Sequence, residues 1–199
     1  MSLTIPPVPQ EAVSALAAAL QQLGVSRNVA ARLPHANTAI TRFMMARTAN
    51  PAAEPDLSLP WFVLGIADVP KGLQAARPVG WRYVLSTGDP ASPVLANTTM
   101  RDSSQHAFAR LTQSPFASDL QARIGALRQE PTVSAGSYSA ALLQVPACYV
   151  MAIWVQDTTH HDDLVSVVAP APPPLVAGGL DSASEFLNAL RQVRPSVWR

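Results

Sequence analysis

A chain of 199 residues, 48% hydrophobic and 14% charged, is long enough for one well-buried core and short for two, which predicts a single globular domain of low surface charge. Fourteen basic against thirteen acidic side chains leave a net charge of +1, so no summed field draws the chain to nucleic acid or to an anionic membrane, and both partner classes are excluded. A single cysteine rules out an intramolecular disulfide, and neither a basic leader before the first apolar run nor an apolar segment of ~20 residues is present, so the chain reads as cytoplasmic with no membrane span.

Pro6, Pro7 and Pro9 hold the first residues extended, because each fixes φ and removes a backbone donor. After them Val13, Leu16, Leu20 and Leu23 recur at steps of three and four, the stripe of an amphipathic helix that Gly24 would stop. Ser26 is placed to cap a second helical stretch, divided at Pro34 and carrying Ile40, Phe43 and Met44. Residues 1–50 are therefore read as a helical segment packed on the main domain or on another chain. The proline-rich run from Asn50 to Pro60 marks the boundary of an α+β domain over 51–199.

In that domain Trp61 to Ile66 is a continuous aromatic and β-branched run, the pattern of a central strand covered on both faces. Trp81, Tyr83 and Leu85 alternate with Arg82, Val84 and Ser86, and Gly88, Asp89 and Pro90 turn the chain toward a run at Val94 to Asn97, which predicts a hairpin. Asp102 with Gln105 three positions on predicts one capped helix, and Ser114 followed by Pro115 predicts another, buried through Phe116, Leu120, Ile124 and Leu127. Strands return at Ser137–Val145, Cys148–Val155 and Leu164–Ala169 as a meander turning at Pro146–Ala147 and across the polar loop Gln156–Asp163. Four prolines between Pro170 and Pro174 make an extended connector, and Ser182 with Glu185 forms a capping box for a last helix with Phe186, Leu187, Leu190 and Val193 on its apolar face. The expected fold class is α+β: an antiparallel sheet of about six strands, two helices inserted between its halves, a C-terminal helix and N-terminal helices.

The densest group of ligand-type residues is His160, His161, Asp162 and Asp163. Neighbouring side chains of an extended chain face opposite ways, so at most His160 with Asp162, or His161 with Asp163, can converge on one metal ion, and His160 with Asp162 is the pair nominated, against the heavier reading of a solvated turn. Cys148, between Ala147 and Tyr149, reads as a small buried hydrophobe more than as a nucleophile. Ser134-Ala135-Gly136-Ser137 lacks the second glycine of a nucleophile elbow, and Gly178–Gly179 reads as a turn, since no phosphate-loop lysine accompanies it. Trp81, Tyr83 and Tyr149 are the candidate lining of a small-molecule site, weighed against ordinary core packing for aromatics in strands; Trp198 at the polar terminus is left open. No cofactor is implied.

With so few charges and nineteen prolines, the surface must expose many small apolar side chains, and contiguous exposed apolar area marks an interface. The leading expectation is thus a non-catalytic protein-interaction or assembly module whose partner is another protein or a second copy. The alternative is a small-molecule-binding domain, and an enzyme using the His160–Asp163 loop ranks third because no assembled reactive centre is legible.

Overall fold

The computed structural model describes residues 3–25, 55–85, 94–102, 105–168 and 171–193. In chain order its elements are β1 (Leu3–Thr4), α1 (Gln10–Val25), β2 (Leu57–Val63), two 3₁₀ turns (Ile66–Lys71 and Leu73–Ala75), β3 (Arg77–Leu85), β4 (Val94–Met100) and β5 (His106–Gln113). There follow α2 (Phe116–Leu127), α3 (Pro131–Ala135), β6 (Tyr138–Val145), a 3₁₀ turn (Pro146–Cys148), β7 (Val150–Asp157), β8 (Leu164–Val168), β9 (Asp181–Ser182) and α4 (Ala183–Gln192). The protein is α+β with mostly antiparallel strand pairing. It forms two compact units interleaved in sequence: Met1–Pro6, Leu59–Val79 and Asp119–Arg199 make the first, Pro7–Ser58 and Gly80–Ser118 the second.

The first unit is built on the meander. Strands β6 and β7 pair antiparallel from Tyr138↔Asp157 to Val145↔Val150, and β7 pairs with β8 from Met151↔Val168 to Val155↔Leu164. The other edge of β6 takes both β1 (Leu3↔Tyr138) and β2 (Trp61↔Leu142) in parallel. Alternation along the strands puts Ala141, Leu143, Val145, Val150, Ala152, Trp154, Val165 and Val167 on one face, where they pack with Val69 and Leu73 of the 3₁₀ turns and with Phe186 and Leu190 of α4. Phe62 meets Trp154 edge to face, with ring centroids 5.4 Å apart.

On the opposite face Ala140, Leu142, Ile153 and Val155 are buried as well, which is why these strands read as continuous apolar runs without a polar side. That face also carries the buried Ser166, bonded to Arg123 of α2. The same guanidinium donates to the Gly179 carbonyl at 2.9 Å, and the Ser166 hydroxyl donates to that carbonyl at 2.7 Å. Helix, strand and the loop after the prolines are thereby tied at one point. The capping box expected at Ser182 is present, its hydroxyl accepting from the Glu185 N–H while the Glu185 carboxylate accepts from Ser182 N–H.

In the second unit, α1 lays Ala12, Leu16 and Leu20 on the sheet face formed by Trp81, Tyr83, Leu85, Val94 and Ala96, with Phe108 and Leu111 at the margin. Val13, expected on the buried stripe, is 40% exposed, and Ala12 takes its place. Gly24, the expected stop, is the penultimate residue of α1, which ends at Val25. The side chain of Leu23, the second helix proposed after Ser26, and Trp198 lie outside the described residues.

Two expectations are corrected. Among the described residues there are nine strands, not about six, because β1 and β9, two residues each, are too short to carry an alternation signal. The segment after Asp102 is strand β5, not a helix. The hydrogen bond that suggested a cap exists, Gln105 N–H to the Asp102 carboxylate at 2.8 Å, but it closes the β4–β5 turn together with Arg101 N–H to the Gln105 carbonyl. Helical spacing was imitated by a bulge: Asn97 pairs with Arg110 and Thr98 with Phe108, so Ala109 is an extra residue. Phe108 and Leu111, three apart, consequently reach the same cluster. The helix expected after Ser114 is present as α2 with its four apolar residues buried, while the one expected at Asp102 is absent and the short α3 (Pro131–Ala135) was not expected.

Gly80 pairs with Thr99 at φ +152°, and a Cβ there would lie 1.9 Å from the Thr98 carbonyl oxygen. A side chain must push the β3 and β4 backbones apart. Gly80→Ala is expected to lower stability by roughly 1–3 kcal/mol, read as a fall in the denaturant midpoint with unchanged slope.

Candidate functional site

The polar loop between β7 and β8 is organised by its two inner carboxylates. Asp157, 8% exposed, accepts from Thr159 N–H at 2.8 Å, from the Thr159 hydroxyl at 2.7 Å and from Asp162 N–H at 3.3 Å. The Thr159 hydroxyl first, then the Thr159 N–H, hold its carboxyl well below the usual carboxylate range against the opposing effect of burial. Asp163 accepts from the Trp154 indole at 2.9 Å and from Asp157 N–H at 2.9 Å. The loop is thus wound around acceptors that face inward.

The nominated metal ligands are its exposed part. The His160 ring nitrogen Nδ1 lies 2.8 Å from the Thr159 hydroxyl and 3.6 Å from Asp157 Oδ2, while the Asp162 side chain is exposed and its backbone N–H is the group bound to Asp157. Among the described residues, no group of three or more His, Cys, Asp or Glu is placed to hold a metal ion. Cys148 is buried in the apolar cluster of the first unit, where desolvation pushes its thiol up, away from the thiolate a nucleophile needs. The Gly178 N–H bonds the Val167 carbonyl, and the Gly179 carbonyl serves Arg123 and Ser166.

The three aromatics nominated for a ligand are divided between the two units. Trp81 and Tyr83 are 7% and 1% exposed, both packed under α1, and the Tyr83 hydroxyl lies 3.4 Å from that of Thr98. Tyr149 belongs to the first unit and is 58% exposed. It closes the 3₁₀ turn after β6 in the left-handed region, at φ 54°, a conformation costing a residue with a Cβ roughly 1–2 kcal/mol.

Tyr149 has apolar company at its end of the sheet. Among the described residues of the first unit, Ile66 and Val176 are the other large exposed hydrophobics. Leu64 N–H bonds the Gln144 carbonyl, Val145 pairs with Val150, Met151 pairs with Val168, and Gly178 N–H returns to Val167. Ile66, Tyr149 and Val176 therefore lie beyond the same ends of β2, β6, β7 and β8, a width of ~14 Å at three inter-strand spacings. The neighbouring charges are a closed pair, Lys71 to Asp68 at 2.8 Å. The sequence shows no run of apolar letters here; the rim exists only once the strands are in register.

A second arrangement escapes sequence reading. Arg82 and Asn97 are cross-strand partners, and so are Asn97 and Arg110. Trp81 and Tyr83 face α1, so by alternation this row lies on the other face of the sheet. Arg82 Nε donates to Asn97 Oδ1 at 2.9 Å; Arg82 is 4% and Asn97 5% exposed, while Arg110 is exposed. Burial first, then the like charge of Arg110, bring the Arg82 guanidinium down to about 10.

The depressed Asp157 carboxyl sets a pH dependence. A group whose folded pKa lies below its unfolded value stabilises the fold fully above the ordinary carboxylate range and loses that contribution as pH falls toward the depressed value. The melting temperature should accordingly drop on acidification below about pH 4. Asp157→Asn should melt lower at neutral pH and show a shallower acid slope, both read from thermal unfolding monitored by circular dichroism.

Compared with known proteins, the chain matches no family model, no curated protein and no solved structure.

Proposed function

We propose that this chain is a non-catalytic assembly module that docks on a second copy of itself through the rim formed by Ile66, Tyr149 and Val176. The observation that carries the reading is the rim as a whole: Ile66, Tyr149 and Val176, 42%, 58% and 67% exposed, lie beyond the same ends of four paired strands. Exposed apolar side chains gathered at one end of a sheet support an interface there. A second copy is the occupant argued for because the surface near the rim carries a neutral ion pair and the whole chain a net charge of +1. Two copies therefore meet without electrostatic opposition, and a two-fold contact makes one apolar patch complementary to itself. A reducing, cytoplasmic setting agrees with the single buried cysteine. The second reading, a small-molecule-binding domain, draws its support from the Arg82–Asn97–Arg110 row.

Light scattering on the purified chain tests this. The wild type should show a mass above the 21.1 kDa of one chain, rising with concentration. Tyr149→Asp combined with Val176→Asp should return it to one chain without loss of fold. Tyr149→Gly supplies the sharper comparison, since it relieves the left-handed strain: it should retain or raise monomer stability yet weaken association. A strict monomer across the concentration series, or association untouched by all three substitutions, overturns the reading.

A further inference from the structure

We propose that Arg82, Asn97 and Arg110 form a subsite for a single oxyanion, the carboxylate or phosphate group of a small ligand. Three cross-strand neighbours on one sheet face present two guanidinium groups on either side of a buried amide. The two arginines stand two strand spacings apart, ~10 Å between backbones, a separation their side chains close readily. The Arg82 Nε–Asn97 Oδ1 bond fixes the amide so that its acceptor is taken and its Nδ2 hydrogens point away from Arg82. Among the described residues that Nδ2 donates to no protein group, and Arg110 makes neither a hydrogen bond nor an ion pair. The row therefore offers donors from a neutral amide and an exposed cation beside a desolvated one, with no carboxylate in these three positions.

The chemistry that fits is an anion with more than one acceptor oxygen. A guanidinium fork matches carboxylate and phosphate geometry, and charge-assisted bonds gain strength where water is excluded. A negative group between Arg82 and Arg110 also adds attraction to two like charges, whose repulsion is the lesser of the two causes, after burial, that hold the Arg82 guanidinium down. Two cations in a chain of net charge +1 suit one oxyanion group rather than a polyanion, whose binding needs several phosphate contacts. Arg110, exposed at the outer strand of the row, is the point of entry.

The test is thermal unfolding of the full chain in inorganic phosphate, in acetate and in chloride at matched ionic strength. A ligand that binds only the folded state raises the melting temperature with its concentration. The wild type should melt several degrees higher in phosphate or acetate than in chloride, and whichever of the two gives the larger rise identifies the favoured oxyanion. Arg110→Gln, at an exposed position, should fold and lose most of that rise. Asn97→Asp builds the anion in: it should melt higher than the wild type in chloride and no longer respond to phosphate. Equal melting in all three salts overturns the proposal, as does a full anion-dependent rise in Arg110→Gln. So does an Asn97→Asp protein that folds, melts lower in chloride and still responds to phosphate.

Discussion

The ladder between β6 and β7 is the constraint on which the first unit depends. Its register runs from Tyr138↔Asp157 to Val145↔Val150, and in its middle, Ala140 to Leu143 against Ala152 to Val155, every position on both faces is apolar and buried. A slip of one residue would turn each side chain to the other face, so helix α2 on one side and α4 with the 3₁₀ turns on the other can dock on one arrangement only. The ladder also fixes the hairpin. With Val145 paired to Val150, four residues must reverse the chain. Pro146 to Cys148 take a 3₁₀ turn, and closing it drives Tyr149 into the left-handed region. The exposed aromatic of the rim is thus a consequence of core register, which makes its position rigid.

The meander, its turns and the capping box were legible because each has a local signal: uninterrupted apolar runs of strand length, a proline at the reversal, and a serine three residues before a glutamate. The buried face of α2 was legible for the same reason, and Phe116, Leu120, Ile124 and Leu127 are all buried. What was not legible is non-local. The bulge at Ala109 shifts one residue of β5 against β4 and gives a strand the three-residue spacing of a helix. The parallel pairing of β1 and β2 with β6 leaves no trace in the sequence, since those partners are far apart along the chain.

The same division holds for the sites. That Trp81 and Tyr83 pack as core followed from ordinary strand behaviour, and the His160–Asp163 loop already read as a turn. Positions 82, 97 and 110 acquire a relation only through two strand registers and the bulge between them, as do positions 66, 149 and 176 through the shared end of four strands. Neither set is adjacent or periodic in the sequence, so no motif search would join them. The signal available beforehand was the oddity of an arginine between two buried aromatics in a strand.

Where charge is scarce, several inward polar groups have definite structural tasks. The loop carboxylates Asp157 and Asp163 take internal donors from Thr159, Asp162, Trp154 and their own backbone, so their capacity for cations is used in shaping the loop. Ser166 and Arg123 similarly serve the Gly179 carbonyl. Two other kinds of group stand apart from these tasks among the described residues: exposed apolar side chains at the end of the first unit's sheet, and the Asn97 and Arg110 donors on the second unit's sheet. An apolar rim gains by excluding water and needs no counter-charge, whereas donors flanked by like charge gain only from a negative group. The proposed self-association and the proposed oxyanion subsite therefore draw on different forces, exclusion of water in the first unit and charge in the second.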